Sequence, residues 1–209
     1  AIKGLTAPLF GTTSASIKGL HLRDVNINET VTPNVGAFAR QITATETISP
    51  IVEHCSVSGN ITVNCADYIY KEISDYHEFT SGGLVGSCFG VSFDNCVNNA
   101  NINIVQLASA SLALPIQPGV GGLVGGLSYY TRSNDSHAVG YMTNCTNNGD
   151  LTIANNGDNG KIQLNVGGCV GIQFRYNFAA FENIVNRGNI TLDAAFSAQT
   201  VNVAGVVAY

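Results

Sequence analysis

The chain has 209 residues, 45% of them apolar and only 11% charged, which is enough apolar material for one sizeable core and too little charge for disorder of the highly solvated kind. Nine basic against fourteen acidic residues leave a net charge of -5, which argues against a nucleic-acid partner, because phosphate-backbone binding needs clustered Lys and Arg to release counterions. Twenty-three glycines, one methionine and no tryptophan suit short strands and many turns better than a helical bundle.

Self-similarity organises the chain. Unit one opens at Ala7-Pro8-Leu9-Phe10-Gly11 and carries the apolar pair Val25/Ile27. Unit two opens at Val35-Gly36-Ala37-Phe38-Ala39, with a weak corner motif from His54-Cys55 and the pair Ile61/Val63. An insertion, Asn64 to Thr80, precedes the clearest pentad, Gly82-Gly83-Leu84-Val85-Gly86, which is followed by Asn95-Cys96-Val97-Asn98-Asn99-Ala100-Asn101-Ile102 and the pair Ile102/Ile104. Unit four repeats this as Gly121-Gly122-Leu123-Val124-Gly125, an insertion from Gly126 to Tyr141, then Asn144-Cys145-Thr146-Asn147-Asn148-Gly149-Asp150-Leu151 and Leu151/Ile153. Unit five gives Gly167-Gly168-Cys169-Val170-Gly171, Asn183 to Ile190, and Ile190/Leu192, and a last pentad stands at Ala204-Gly205-Val206-Val207-Ala208. Counted between second positions, the spacings are 28, 47, 39, 46 and 37 residues.

Apolar residues two apart mean strand. Each unit therefore reads as one strand at the pentad, one around the Cys position, an Asn-Gly-type corner, and one at the apolar pair. Strands this short bury little alone, so equivalent strands are expected to stack in parallel at about 4.8 Å, placing like residues over like. The expected fold is all-β, a parallel β-helix (β-solenoid) of about five coils with loop insertions, forming one domain over residues 1–209. A two-sheet sandwich has no reason to repeat the same corner chemistry.

The six cysteines form no Cys-x-x-Cys pair, their gaps being 10, 23, 8, 49 and 24 residues, so zinc and thioredoxin-type readings lose support and no metal or cofactor is expected. Cys55, Cys96 and Cys145 share one phase with Ile184, and Cys169 replaces Leu84 and Leu123. Exchange with aliphatics makes them small buried hydrophobes first. A disulfide within the stacked set, or between Cys65 and Cys88, is the second reading, and a catalytic thiol the third, because strand alternation would turn His54 away from Cys55. Asn98, Asn147 and Asn186 align at one corner and Asn95, Asn144 and Asn183 at another, where stacked amides satisfy one another along the axis.

Ligand contacts, if any, are expected on the two insertions. Tyr68, Tyr70 and Tyr76, beside Asp67, Glu72, Asp75, His77 and Glu78, mark the first. Tyr129, Tyr130 and His137, with Arg132 and Asp135, mark the second. Solvated loops covering the coils are the plain reading; a polar-aromatic rim for a sugar or a protein is the functional one. Asn-x-Ser/Thr occurs at Asn28, Asn60, Asn134, Asn144 and Asn189, and Asn28 and Asn134, taken to lie in the more variable segments, are the expected glycan acceptors. No catalytic residue is assigned. No uncleaved signal is visible in Ala1 to Phe10, and the uncharged stretch Ile104 to Thr131 is broken by Pro115, Pro118 and glycines, so membrane insertion is not expected.

The pentads Gly82 to Gly86 and Gly121 to Gly125, with their Cys-x-Asn-x-Gly-like corners, resemble the GLUG-motif repeats of bacterial surface and adhesin-like proteins over nearly the whole chain. Pro8 and Ala204 depart from the motif in the outer pentads. The resemblance implies an extracellular or cell-surface setting and a non-enzymatic structural or adhesive role, and brings no catalytic residue. With strand edges expected at both ends of the stack, the partners expected are a longer parent chain or further chains stacked end to end. A carbohydrate-binding module and a polysaccharide-degrading β-helix enzyme are the alternatives.

Overall fold

The structure, a computed structural model, describes residues 1–30, 32, 34–65, 79–106, 117–134, 136–154, 162–174, 180–193 and 200–208. It is all-β. Four parallel sheets carry the strands, and a two-stranded antiparallel hairpin lies beside them. Unit three shows the path: Thr80–Gly82 in one sheet, Val85–Phe89 in the next, Ser92–Asp94 in a third, and Val97–Gln106 in the longest. Unit four visits the same sheets in the same order with Gly119–Gly121, Val124–Ser128, Tyr141–Thr143, and the pair Thr146–Asn147 and Leu151–Ile153. Equivalent strands of successive units pair in parallel, as Val85↔Val124↔Val170 and Ile61↔Ile102↔Leu151↔Ile190 illustrate, although unit two meets Thr80–Gly82 only through the single Val35↔Ser81 bridge.

The pentad is a corner and not a strand. Thr80–Gly82 ends at its first glycine, the chain bends through Gly83-Leu84, and Val85 opens the next sheet. The bend aims the third residue inward. Phe38, Leu84, Leu123 and Cys169 are fully buried and consecutive through Phe38 N–H to Leu84 O at 2.9 Å, Leu84 to Leu123 at 2.9 Å and Leu123 to Cys169 at 2.8 Å. The Cys position is likewise a corner, entered by a residue with positive φ: His54 at 54°, Asn95 at 50°, Asn144 at 53° and Asn183 at 54°, with Gly19 at 59° in unit one. Asparagine tolerates this left-handed conformation better than most side chains. His54 and Cys55 therefore diverge because of the turn, not because of strand alternation.

Two registers differ from the sequence alignment. Ala39, not Phe38, pairs with Val85, and Phe10 pairs with Ala39, so the first two spacings become 29 and 46. A one-residue slip exchanges inner and outer faces, and this register puts the large Phe38 ring in the buried Leu84 column. In the longest sheet Ile27, not Val25, pairs with Ile61. One residue of this two-residue offset comes from an irregularity between Leu22 and Val25, near Asp24 with φ 53°. Glu29 thereby stands opposite Val63. Nor does an Asn-Gly corner interrupt every unit: Ser56–Asn64 and Val97–Gln106 run through it as continuous strands.

Candidate functional site

The insertion of unit four folds as a hairpin, Tyr130–Thr131 against His137–Ala138, closed by Arg132 N–H to Ser136 O at 2.8 Å. Asn134 at its tip accepts from Ser136 N–H at 3.1 Å, so that candidate glycan acceptor has its side-chain oxygen engaged within the turn. The Tyr129 and His137 rings lie 4.4 Å apart between centroids, tilted by 54°. Tyr129 and Tyr130 are half-buried and His137 is exposed.

The hairpin is strapped down. In unit three the same connection is only Gly90 and Val91 long, and the hairpin crosses it to reach the loop after Ala44 in unit two. Gly90, at φ +65°, is hemmed between Ala138 and Ala44: an added Cβ would lie 2.9 and 3.0 Å from their side chains. Beyond it, Arg132 Nη2 donates to Ser49 Oγ at 2.9 Å, and Ser133 donates to the Glu46 carboxylate through N–H at 3.0 Å and Oγ at 2.9 Å. The Ser133 N–H above all, then its hydroxyl, holds the Glu46 carboxyl below the usual range. A tyrosine pair and a histidine on a strapped hairpin offer flat apolar faces with polar edges, the chemistry of contact with a sugar ring or a protein surface. The other aromatic candidates, Tyr68, Tyr70 and Tyr76, lie outside the described residues, as do Asp67, Glu72, Asp75, His77, Glu78 and Asp135.

Asn28 is placed on a strand, exposed and opposite Thr62, and not in a variable loop. Unit one is the most divergent copy, which hides the strand in its repeat pattern.

All six cysteines are free and buried, so the bridge alternatives, Cys65 with Cys88 included, do not occur. A hydrogen bond with Cys96 and burial push the Cys55 thiol far up; burial and the nearby charge of Glu29 bring Cys65 to about 11. The Cys145 hydrogen bond outweighs the opposing one from Cys55 and takes Cys96 to about 12, burial takes Cys169 to about 12, and burial alone raises Cys88. Cys55, Cys65, Cys88, Cys96 and Cys169 are thereby protonated at neutral pH and supply no ready nucleophile. Cys96 Sγ donates instead toward the carbonyls of Val52 and Asp94, both at 3.3 Å.

The most ordered polar feature is interior. Asn98 Nδ2 donates to Asn147 Oδ1, and Asn147 Nδ2 to Asn186 Oδ1, both at 2.8 Å. Each amide also closes a loop on its own strand, as Asn98 Oδ1 accepts from Ala100 N–H and its Nδ2 donates to Ala100 O, both at 2.9 Å. The space for these side chains comes from the pentads: a Cβ on Gly83 would lie 2.4 Å from Asn98 Cγ, and one on Gly122 2.3 Å from Asn147 Cγ. The second asparagine set is less regular. Asn183 donates to Asn144 at 3.1 Å, but Asn95 turns to Asp94 at 2.8 Å. Asp94 also accepts from Thr143 Oγ1 at 2.7 Å, which chiefly lowers its pKa.

Sequence reasoning missed one group. Glu29, 8% exposed, accepts from Arg40 Nη2 at 2.6 Å and from Thr32 N–H at 3.2 Å, and Arg40 also donates to Thr32 Oγ1. The signal was available only once Glu29 is set in the Val63 column, where the other units carry aliphatics. Among the described residues no cluster of three His, Cys, Asp or Glu converges as a metal site, and no helix is long and apolar enough to cross a membrane. No family model matches the chain, and no curated protein matches it.

Proposed function

We propose that the chain winds as a parallel β-solenoid of GLUG-type units and serves as a non-enzymatic structural or adhesive module of an extracellular or cell-surface protein. The observation that carries this reading is the parallel pairing of successive units, five or more deep in three of the four sheets and four deep in the Thr80–Gly82 sheet, which supports a stiff, axially repeating body. The strands at either end of the stack bear exposed apolar residues, Phe10 at 41% and Val203 at 51%, and further units, from a longer parent chain or from other chains, would cover them. The strapped hairpin with Tyr129, Tyr130 and His137 supplies a recognition edge to such a module.

Electron microscopy of the purified protein and display of the chain on a cell surface test this together. Rods or filaments and adhesion that requires the displayed chain are expected; round, isolated particles with no adhesive gain refute it. Carbohydrate binding at the hairpin is the second reading, favoured by the ring pair that Tyr129 and His137 form. A glycan array separates the two, because loss of a glycan signal on Tyr129→Ala would assign the hairpin to sugar. Turnover of a polysaccharide by the purified chain would overturn both in favour of an enzyme.

A further inference from the structure

The interior asparagine ladder ends one partner short. Asn98 and Asn147 each use one amide hydrogen on their own strand and pass the other to the next unit, Asn98 to Asn147 and Asn147 to Asn186, both at 2.8 Å. Asn186 keeps the first bond, Nδ2 to Gly188 O at 3.0 Å, but among the described residues its second N–H has no acceptor. The backbone beside it is open as well. Cys96 O and Asn98 O accept from Thr146 and Asn148 N–H at 2.9 and 2.8 Å, and Cys145 O and Asn147 O accept from Val185 and Arg187 N–H at 3.0 and 2.8 Å. Ile184 O and Asn186 O come next in these columns, and among the described residues no such donor stands above them.

Gly205 gives the missing piece its shape. In three pentads an asparagine of the same unit occupies the place of the second glycine's Cβ: an added Cβ would lie 2.4 Å from Asn98 Cγ on Gly83, 2.3 Å from Asn147 Cγ on Gly122, and 2.4 Å from Asn186 Nδ2 on Gly168. Gly205 continues that column, its carbonyl standing over Gly168, yet a Cβ added to Gly205 meets nothing within 4 Å. The slot exists without its amide, and by the order of the units it is the place next above Asn186. A second constraint lies two residues on. A Cβ on Gly149 would meet Ala100 O at 1.9 Å, and one on Gly188 would meet Gly149 O at 1.9 Å, so a strand laid on Gly188 needs glycine at the same position. Beyond it Ile190 and Leu192 are half-buried, where Ile102, Ile104, Leu151 and Ile153 beneath them are buried.

We propose that this end of the stack docks one extended strand of a partner chain, reading Asn-x-Gly-x-aliphatic-x-aliphatic and adding in parallel to Val185–Asn186 and Ile190–Leu192. The inference rests on the stacked-unit reading above and goes beyond it by fixing the partner's sequence. Each position has its own contact. The asparagine fills the Gly205 slot and accepts from Asn186, the strand's N–H groups reach Ile184 O and Asn186 O, the glycine clears Gly188 O, and the two aliphatic side chains cover Ile190 and Leu192. A second copy stacked in the same direction does not supply this strand. At its other end the ladder column runs Ile2, Leu22, Val57, so Ile2 would lie on the Asn186 amide and leave a buried donor unpaired.

The test uses the full chain and a fluorescent, end-capped peptide of Thr146 to Ala154, which carries the motif from Asn147 through Gly149 and Leu151 to Ile153. Fluorescence anisotropy is expected to show saturable binding. Asn147→Leu or Gly149→Ala in the peptide should each weaken it about tenfold or more. In the chain, Gly205→Leu fills the slot. Gly205 is exposed and its φ lies outside the left-handed region, so circular dichroism should show the fold intact while peptide binding is lost. No binding to the folded chain, equal binding of the three peptides, or full binding by folded Gly205→Leu would overturn the proposal. So would a dimer in light scattering that Gly205→Leu dissociates, since the site would then belong to a second copy. Rods and adhesion without peptide binding defeat this inference alone; peptide binding by round, non-adhesive particles supports it and defeats the module reading.

Discussion

Asn147 is the test of what holds the interior together. It is fully buried and makes four hydrogen bonds: it donates to Gly149 O and to Asn186 Oδ1, both at 2.8 Å, and accepts from Asn98 Nδ2 at 2.8 Å and Gly149 N–H at 3.3 Å. Asn147→Ala strands all four partners. A buried group left unpaired costs about 1 kcal/mol or more, so the sum is about 4 kcal/mol, falling toward about 2 where a water enters the vacated volume. That is a large share of the 5–15 kcal/mol typical of a domain. Urea unfolding followed by circular dichroism reads it as a lower midpoint, with Asn148→Ala as the control. Asn148 is the next residue, exposed, with its amide bonded to Asn99 Oδ1 at 2.8 Å, and its loss should stay within about 0.5 kcal/mol. Equal effects of the two substitutions would refute the claim that the buried ladder, and not asparagine stacking in general, stabilises the fold.

The Glu46 carboxyl is lowered by its bonds to Ser133, so its anchoring contribution is present above the unfolded pKa and is lost as pH falls through the lower, folded value. Hydrogen exchange should show the Ser133 amide well protected at neutral pH and released under acid conditions, while the Leu84 amide, inside the stack, stays protected; simultaneous release would contradict the strap. The buried thiols should resist a thiol reagent at pH 8 in the native protein and react, all six, once it is unfolded. Arg40→Leu leaves Glu29 buried without its guanidinium partner and should cost about 2 kcal/mol after allowing for partial exposure, measured as a urea midpoint. Glu29→Leu with Arg40→Leu together should recover most of it, since Val63, Ile104 and Ile153 occupy the equivalent place in other units.

Repeats were the legible part of the sequence. Gly82-Gly83-Leu84-Val85-Gly86 and its copies located the corners, and the pairs Ile61/Val63, Ile102/Ile104 and Leu151/Ile153 located the longest sheet and its inner face, because identical local chemistry must recur wherever identical strands stack. Register in the divergent units was not legible. Phe38 could be set against either Leu84 or Val85 by pattern alone, and only the size of the Leu84 column decides between them. The Asp24 irregularity shifts the register by one residue, Leu22 pairing with Val57 but Val25 with Gly59, and nothing in Arg23-Asp24-Val25 announces a positive φ. The hairpin contacts escaped too, since Glu46 and Ser133 are 87 residues apart and meet only because the unit between them has the short Gly90-Val91 connection.

The glycine and asparagine motifs, which look like separate signatures in the sequence, are one physical unit. Gly83 and Gly122 have no room for a Cβ because Asn98 and Asn147 fill it. In unit two the register sets Val57 opposite Asn98 and Ala37 next to Gly83 through Ala37 N–H to Gly83 O at 3.2 Å: where the asparagine is gone, the glycine is gone with it. Val57→Asn alone should therefore destabilise, since the amide meets the Ala37 methyl and lacks its space. Ala37→Gly alone should also destabilise, by about 1 kcal/mol, through a small cavity and a more flexible chain. Together they should extend the ladder by one rung, Asn98 Oδ1 having a lone pair to offer, and a double-mutant cycle should return a favourable coupling of about 1 kcal/mol or more. Additive costs would mean that the two columns are independent, and the shared spacing of the motifs would then lose its packing explanation.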